Sequence, residues 1–428
     1  MPQQDNIDKS YEWKAVTLLG LGFGLVGLDR WLITPLFPSV MEDLGLTYQH
    51  LGTTVGVFGL SWGVFSIIMG NVSDRVGRRK VLIPAMIAFS LLSAMSGFSG
   101  GFASLIIIRT LMGVAEGSFC PTSIAATGEA SHPKRRGFNQ GLQQSLFALF
   151  GFGFAPIIAT QLLEVVPSWR WVFVISAFPG LILAVFMYRI IREPKRPATT
   201  PRPVEKARPA ESPRWRDLLC NRNVLVAMLS LLCAMSGVFV MGAMIPNYLV
   251  DFLKLTGPQM GFVMSAIGFG GFLGEFGVPG ISDLIGRKPT AFLAFVGASI
   301  FLILFAQADI NPWVLFALLF VSAFFCLGLL ALFTGPVATE AVPAVLIASA
   351  IGMVSGVGEI FGGGVAPFVA GFVADRYGIQ YTLYLALGGL MAGILVSLFL
   401  RETAPRKVGA TVATRSVDEA GEAVPDRL

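Results

Sequence analysis

Asp29 and Arg30 stand side by side in an apolar stretch from Ala15 to Val40, and Arg109 and Glu116 share a second one, Ala103 to Thr127. An ionised side chain at membrane depth is costly unless it is paired or lines water, so such groups mark functional sites by default. Two acids and two bases of this kind suit a pathway for a charged solute. A guanidinium grips a carboxylate through paired hydrogen bonds, and a carboxyl in low dielectric can take up and release a proton. The plainer alternative is a salt-bridged helix pair that only holds a bundle together. Two more acids fall in apolar stretches of the second half, Glu275 and Glu359, where no Lys or Arg accompanies them. Glu359 is therefore either protonated at rest or turned toward Arg30 across a cleft, and Glu275 reads as part of a gate.

The elements that must position these groups are legible from composition. The 428 residues are 54% hydrophobic and 13% charged, with mean hydropathy +0.71. A soluble chain of this length needs far more polar surface, so soluble enzyme chemistry is excluded. Twelve apolar bands, near 15–40, 49–72, 81–100, 103–127, 138–162, 169–189, 223–249, 258–281, 290–308, 312–337, 344–372 and 379–400, recur along the chain. Each approaches the 20 or so residues that cross a hydrocarbon core of roughly 30 Å. The expected fold is an all-α, twelve-span membrane protein with the lipid bilayer as its surroundings. The polar start MPQQDNIDKSYEWK leads straight into the first band, so no cleavable signal peptide is expected.

Lys and Arg orient the spans. Arg75, Arg78, Arg79 and Lys80 follow the second band, Lys134, Arg135 and Arg136 the fourth, and Arg287 and Lys288 the eighth, while the alternate loops hold only Arg170, Lys254 and Arg376. Basic loops stay cytoplasmic, so both termini are expected there, in a cell (inner) membrane. The net charge of +5 reflects that bias and anionic lipid, not nucleic acid. Cys120, Cys220, Cys233 and Cys326 lack metal-ligand spacing, and His50 and His132 fall at loop edges. No metal or cofactor is expected.

The Pro-, Arg- and Glu-rich segment 190–222 cannot bury enough apolar surface to fold, and reads as a cytoplasmic linker. It separates two six-span halves, 15–189 and 223–400, flanked by short cytoplasmic ends at 1–14 and 401–428. The halves echo each other. GNVSDRVGRRK from Gly70 to Lys80 matches GISDLIGRK from Gly280 to Lys288, with Asp74 to Asp283 and Gly77 to Gly286 both offset by 209. Glu129 to Glu340 and Ala155-Pro156 to Ala366-Pro367 are offset by 211. Parallel repeats of this kind build two bundles that rock about a midplane site.

On these residues the chain resembles the major facilitator superfamily over nearly its whole length. The Gly70–Lys80 segment is similar to that superfamily's signature loop. Gly70 allows close helix crossing, Gly77 a tight turn, and Asp74, at the end of its own helix, should seek another helix's N-terminus or an Arg. The resemblance implies a cytoplasmic latch at Gly70, Asp74, Gly77, Arg78, Asp283 and Arg287.

Leu28-Asp29-Arg30, with Arg109-Thr-Leu-Met-Gly-Val-Ala-Glu116-Gly-Ser-Phe-Cys-Pro121, resembles the anion:cation symporter branch, which takes up organic anions with protons. The resemblance implies that Arg30 holds a substrate carboxylate, that Asp29 pairs with Arg109, and that Glu116 with Asp29 carries the coupling proton. The ending Ile245-Pro246-Asn247-Tyr248-Leu249 is similar to that branch's, which places Asn247 and Tyr248 near substrate. Depth supports the pairing independently. At 1.5 Å per residue Asp29 lies about 21 Å up from Ala15 and Arg109 about 9 Å down from Ala103, which is one level in a core of roughly 30 Å.

Sugar-acid carriers of the branch place a Tyr where Gly27 stands and a Gln where Phe147 stands. With fewer hydrogen-bonding groups, and with Trp62, Phe324, Phe325 and Phe333 available, the expected substrate is an aromatic or other apolar monocarboxylate carried by a monomer. A sugar-acid:proton symporter of the same branch is the first alternative. A drug:proton antiporter is the second, but Ala155-Pro156-Ile-Ile-Ala replaces the Gly-rich sequence such exporters carry, and Arg30 repels cations.

Overall fold

The computed structural model describes residues 9–132, 136–192, 215–342 and 347–404. The core of the expected linker, the end of the tail, Lys134 and Arg135 lie outside the described residues, as do the side chains at Gly70, Asp74 and Arg75. Eleven of the described helices are long and apolar enough to cross a membrane. They are α1 (Lys9–Leu44), α2 (Tyr48–Val76), α3 (Arg78–Ser96), α4 (Phe102–Ala130), α5 (Asn139–Val165), α6 (Trp169–Ile190), α7 (Arg222–Phe252), α8 (Gly257–Ile285), α9 (Arg287–Gln307), α10 (Pro312–Glu340) and α11 (Ala350–Tyr377). The twelfth, α12 (Tyr381–Ser397), is apolar but shorter. Its rise of about 25 Å falls slightly below a core of roughly 30 Å. Exposed Tyr377, Tyr381 and Tyr384 gather at its start, where amphipathic rings suit the headgroup level.

α1 starts six residues ahead of Ala15. Its Glu12 is buried and accepts from the Asn139 side chain and the His132 backbone N–H, both at 3.0 Å, which satisfies a charge inside the bundle. α1–α6 form one bundle and α7–α12 the other. The starts of α1 and α7 lie at the end where the two bundles are linked in sequence, hereafter the linker end; the opposite end is distal.

The repeat reappears in detail. Gly77 and Gly286 adopt φ of 110° and 111°, which glycine tolerates and which lets α2 and α8 turn into α3 and α9 with a single residue between. Arg78 pairs with Glu129 at 3.0 Å and donates to Ser73, as Arg287 pairs with Glu340 at 2.7 Å and donates to Ser282. Arg287 also pairs with Asp283 at 2.6 Å. At the distal end, Thr47 with His50 and Thr256 with Gln259 form equivalent capping boxes on α2 and α8. The second half adds Glu402. Partial burial would raise its carboxyl, but the backbone N–H groups of Ala404, Arg287, Lys288 and Thr403 hold it below the usual carboxylate range.

Two seams join the bundles. On α2, Gly52, Gly56, Gly59 and Gly63 lie along one face against α11; a methyl on Gly59 would stand 2.6 Å from the Gly363 carbonyl oxygen. On the other side a methyl on Gly268 of α8 would stand 1.9 Å from the Gly153 backbone nitrogen of α5. Small residues let helix backbones touch where lipid gives no hydrophobic drive to associate. Both α5 and α11 widen into π turns at these seams, Leu149–Phe154 and Gly358–Val365.

Candidate functional site

Arg30 projects from mid-α1 to the interface between bundles. Its guanidinium carbon lies 5.6, 5.1, 5.7 and 4.8 Å from the ring centres of Trp31, Phe58, Trp62 and Phe239, within cation–π range. Trp31 continues this wall between bundles, 4.2 Å from Phe152 of α5 and 5.3 Å from Phe239 of α7. One guanidinium nitrogen of Arg30 donates to Glu359, which the α11 π turn delivers from the opposite bundle. Both side chains are buried, yet the Arg30 Nε donor has no partner. Of the two options open to Glu359 in the sequence, the structure takes the turn toward Arg30.

Asp29, on the neighbouring face of α1, points into its own bundle and accepts from Ser93 Oγ of α3 at 2.9 Å. Arg109 comes to the same level, as the helix-rise argument expects, but it does not bond the Asp29 carboxylate. Its Nη1 donates to the Asp29 backbone carbonyl at 3.1 Å, while its carbon lies 5.4 Å from the Phe173 ring. The expected Asp29–Arg109 side-chain pair is thus corrected to a side-chain-to-backbone bond, because the rotation of α1 turns the carboxylate toward Ser93 of α3. Glu116, fully buried on α4, lies in electrostatic range of Asp29, Arg30 and Arg109, and neither of its oxygens has a hydrogen-bond partner. Nε and Nη2 of Arg109 and the indole N–H of Trp31 are unpartnered as well. Unpaired buried polar atoms are expensive, and here they crowd around one charged locus.

Other sequence candidates are placed elsewhere. Phe147 is half-buried and packs on Phe23 with ring centres 6.0 Å apart; its backbone presses on α1, where a methyl on Gly27 would stand 2.5 Å from its carbonyl oxygen. A large residue at 27 would separate α1 from α5, which accounts for glycine at that position. Tyr248 faces α9 within its own bundle, stacked on Phe252 at 5.3 Å and 6.2 Å from Phe305, away from Arg30. Phe324, Phe325 and Phe333 pack against Gly274, Gly297 and Phe295 and do not reach the cage. Asn247 belongs to the distal closure. Its Nδ2 donates to Asp251 at 3.0 Å and approaches Met41 Sδ of the other bundle at 3.3 Å, while Tyr48 Oη of α2 donates to the same Asp251 at 2.9 Å.

The polar ties just described at the linker end, Arg78–Glu129 and Arg287–Glu340, stay within one bundle. At the distal end the Tyr48–Asp251 bond and the Asn247–Met41 approach cross between bundles, and Asp375 of α11 adds to them by accepting from Thr47, Tyr48 and Gln49 of α2. The bundles are therefore locked together on the distal side of Arg30. Sequence reading missed Trp31, Phe58, Phe239, Ser93 and Asp375. The α2 glycines at spacings of four, three and four were the available signal for the seam, and hence for its neighbour Glu359.

The family model described as Major Facilitator Superfamily matches residues 19–280 and 228–422. A probable 4-methylmuconolactone transporter of Cupriavidus pinatubonensis is 28% identical over 80% of this chain and 79% of its own. A hexuronate transporter of Bacillus subtilis is 26% identical over 89% of this chain and 93% of its own. The crystal structure of a bacterial homologue of the human lysosomal transporter Spinster, inward-facing and unoccupied, superposes with TM-score 0.66 and 18% identity, covering 92% of this chain and 95% of that one.

Proposed function

The chain belongs to the major facilitator superfamily, and from that premise we propose proton-coupled uptake of a small organic anion by alternating access, with a flat or aromatic monocarboxylate as substrate. It is a multi-pass membrane transporter and not an enzyme. The observation that carries the reading is Arg30, a buried guanidinium at the bundle interface, walled by four aromatic rings and with its Nε donor unpartnered. A guanidinium stripped of water binds carboxylate strongly, and apolar walls around it favour a flat apolar body over a polyhydroxylated one, whose hydroxyls would go unpaired. The acids named for the relatives, methylmuconolactone and hexuronate, support the organic-anion class.

The buried carboxyls Asp29, Glu116 and Glu359 are the groups that can take up a proton when the anion enters. The energy source is the proton gradient, with no cofactor, and the protein acts as a monomer. Basic residues at the linker end put that end, with both termini, in the cytoplasm of an inner membrane. The structure is then closed to the outside.

The test is a thermal-shift screen of the purified protein against benzoate, a hexuronate and a lipophilic cation, at about pH 6 and about pH 8, since a true ligand stabilises by mass action. Benzoate is expected to stabilise most, and more so at the lower pH. Preferential stabilisation by the hexuronate assigns a sugar acid instead, and stabilisation by the cation alone overturns the anion reading.

A further inference from the structure

The Arg30–Glu359 pair joins α1 to α11, one partner from each bundle, with side chains only 3% and 5% exposed. Breaking such a pair by removing one partner strands a charge, so its presence across a moving interface needs a reason. Glu359 is surrounded by groups that cannot compete for it. Gly63 of α2 lies against its methylene carbons, and a methyl on Gly363 would stand 2.6 Å from its Oε1 and 2.7 Å from the Phe239 ring of α7. Arg30 is the cation it meets, and Glu116 of α4 is the acid that approaches Arg30, with Asp29 in range of Glu116. Cys120 of α4 is the other titratable group in electrostatic range of Glu359.

We propose that Glu359 is a built-in stand-in for the substrate: in the empty transporter its carboxylate occupies the seat on Arg30 that the substrate carboxylate takes, and substrate binding expels it. The inference rests on the reading of Arg30 as the anion anchor. The charge count gives it its consequence. With all groups ionised, Asp29, Glu116 and Glu359 outweigh Arg30 and Arg109 by one negative charge, so the set is neutral only with one proton bound. Exchanging Glu359 for a substrate carboxylate adds a further negative charge, unless the expelled Glu359 takes a second proton. Anion and proton therefore enter together, one for one. When substrate leaves, Glu359 gives its proton to the same side and returns to Arg30. Expulsion also cuts the tie between α1 and α11, so the event that fills the site frees the bundles to move. An occupant that must be displaced lowers apparent affinity by the fraction of time it vacates the seat.

The test uses full-length protein in detergent, with acetate, benzoate and glucuronate as probes and thermal stabilisation as the readout, at about pH 6 and about pH 8. In wild type, half-saturation is expected to fall by about tenfold or more from the higher to the lower pH for at least one probe. Glu359→Gln should bind that probe at the higher pH at least about tenfold more tightly than wild type, and with affinity nearly independent of pH. Glu359→Asp, one methylene shorter, should shift the same way by a few-fold, and serves if the amide variant does not fold. The proposal is overturned if, for all three probes at the higher pH, both variants bind no more tightly than wild type, failure of every protein to bind included. Failure of the anchor reading shows differently: tight, pH-independent binding would survive in the double variant Arg30→Gln with Glu359→Gln.

Discussion

The Asp375 carboxylate of α11 accepts the Tyr48 backbone N–H of α2 at 2.9 Å, across the boundary between bundles. With the Gln49 N–H at 3.0 Å and Thr47 Oγ1 at 2.6 Å, it satisfies the first turn of a helix in the other bundle, where the macrodipole favours negative charge. Asp375 ends α11 as Asp74 ends α2. Asp375→Ala should weaken the distal closure and shift the conformer ratio toward distal opening by a few-fold. Spin-label distances between the distal ends of α2 and α11 measure it, and an unchanged distribution would remove Asp375 from the closure.

Arg30→Lys should lose at least about tenfold in ligand stabilisation while the protein stays folded, because a compact ammonium cannot reproduce the planar grip of a guanidinium. Wild-type-like binding by this variant would place the anion elsewhere.

Asp74, two residues before the linker end of α2, is expected to act as a latch without touching substrate. Asp74→Asn should slow transport by about tenfold or more and leave ligand affinity within a few-fold, since removing a tie made in one conformation alters interconversion more than intrinsic binding. Equilibrium binding and uptake rate, measured on the same preparation, separate the two. A large loss of affinity at unchanged rate contradicts the latch.

Glu359→Gln should exchange substrate in counterflow yet fail to accumulate it against a gradient, because the travelling proton has no carrier. Glu116→Gln fixes a neutral group beside Arg30 and should still accumulate substrate, within about tenfold of wild type. Proteoliposomes with an imposed proton gradient compare them. The reverse pattern assigns the travelling proton to Glu116, as the symporter resemblance implies.

Helix positions and the two-fold repeat were legible because lipid forces backbone pairing within each span, leaving long apolar bands and turn glycines such as Gly77 and Gly286 as signals. The level at which Asp29 meets Arg109 followed from helical rise alone. Which atoms bond did not, because the rotation of α1 turns Asp29 toward Ser93 and Arg30 toward the other bundle, and rotation depends on packing at Gly27. Of the aromatic cage one ring in four was visible. Trp62 stood out by type, but Phe58 and Phe239 are ordinary apolar residues until their helices are assembled, and Tyr248 and Phe147 looked equally suitable until theirs turned them away.

The contact of Gly268 with Gly153 makes α8 a lever with a fixed pivot, because two backbones in contact can roll on one another but cannot approach further. α8 runs from Gly257 to Ile285, so its arms measure about 17 Å toward the distal end and about 26 Å toward the linker end at 1.5 Å per residue. Rolling by about 10° would swing the distal tip about 3 Å and the linker-end tip about 4.5 Å, in opposite directions. The unequal arms give the linker-end mouth the larger travel, so a small opening at the distal contacts is geared up into a wider closure at the other end.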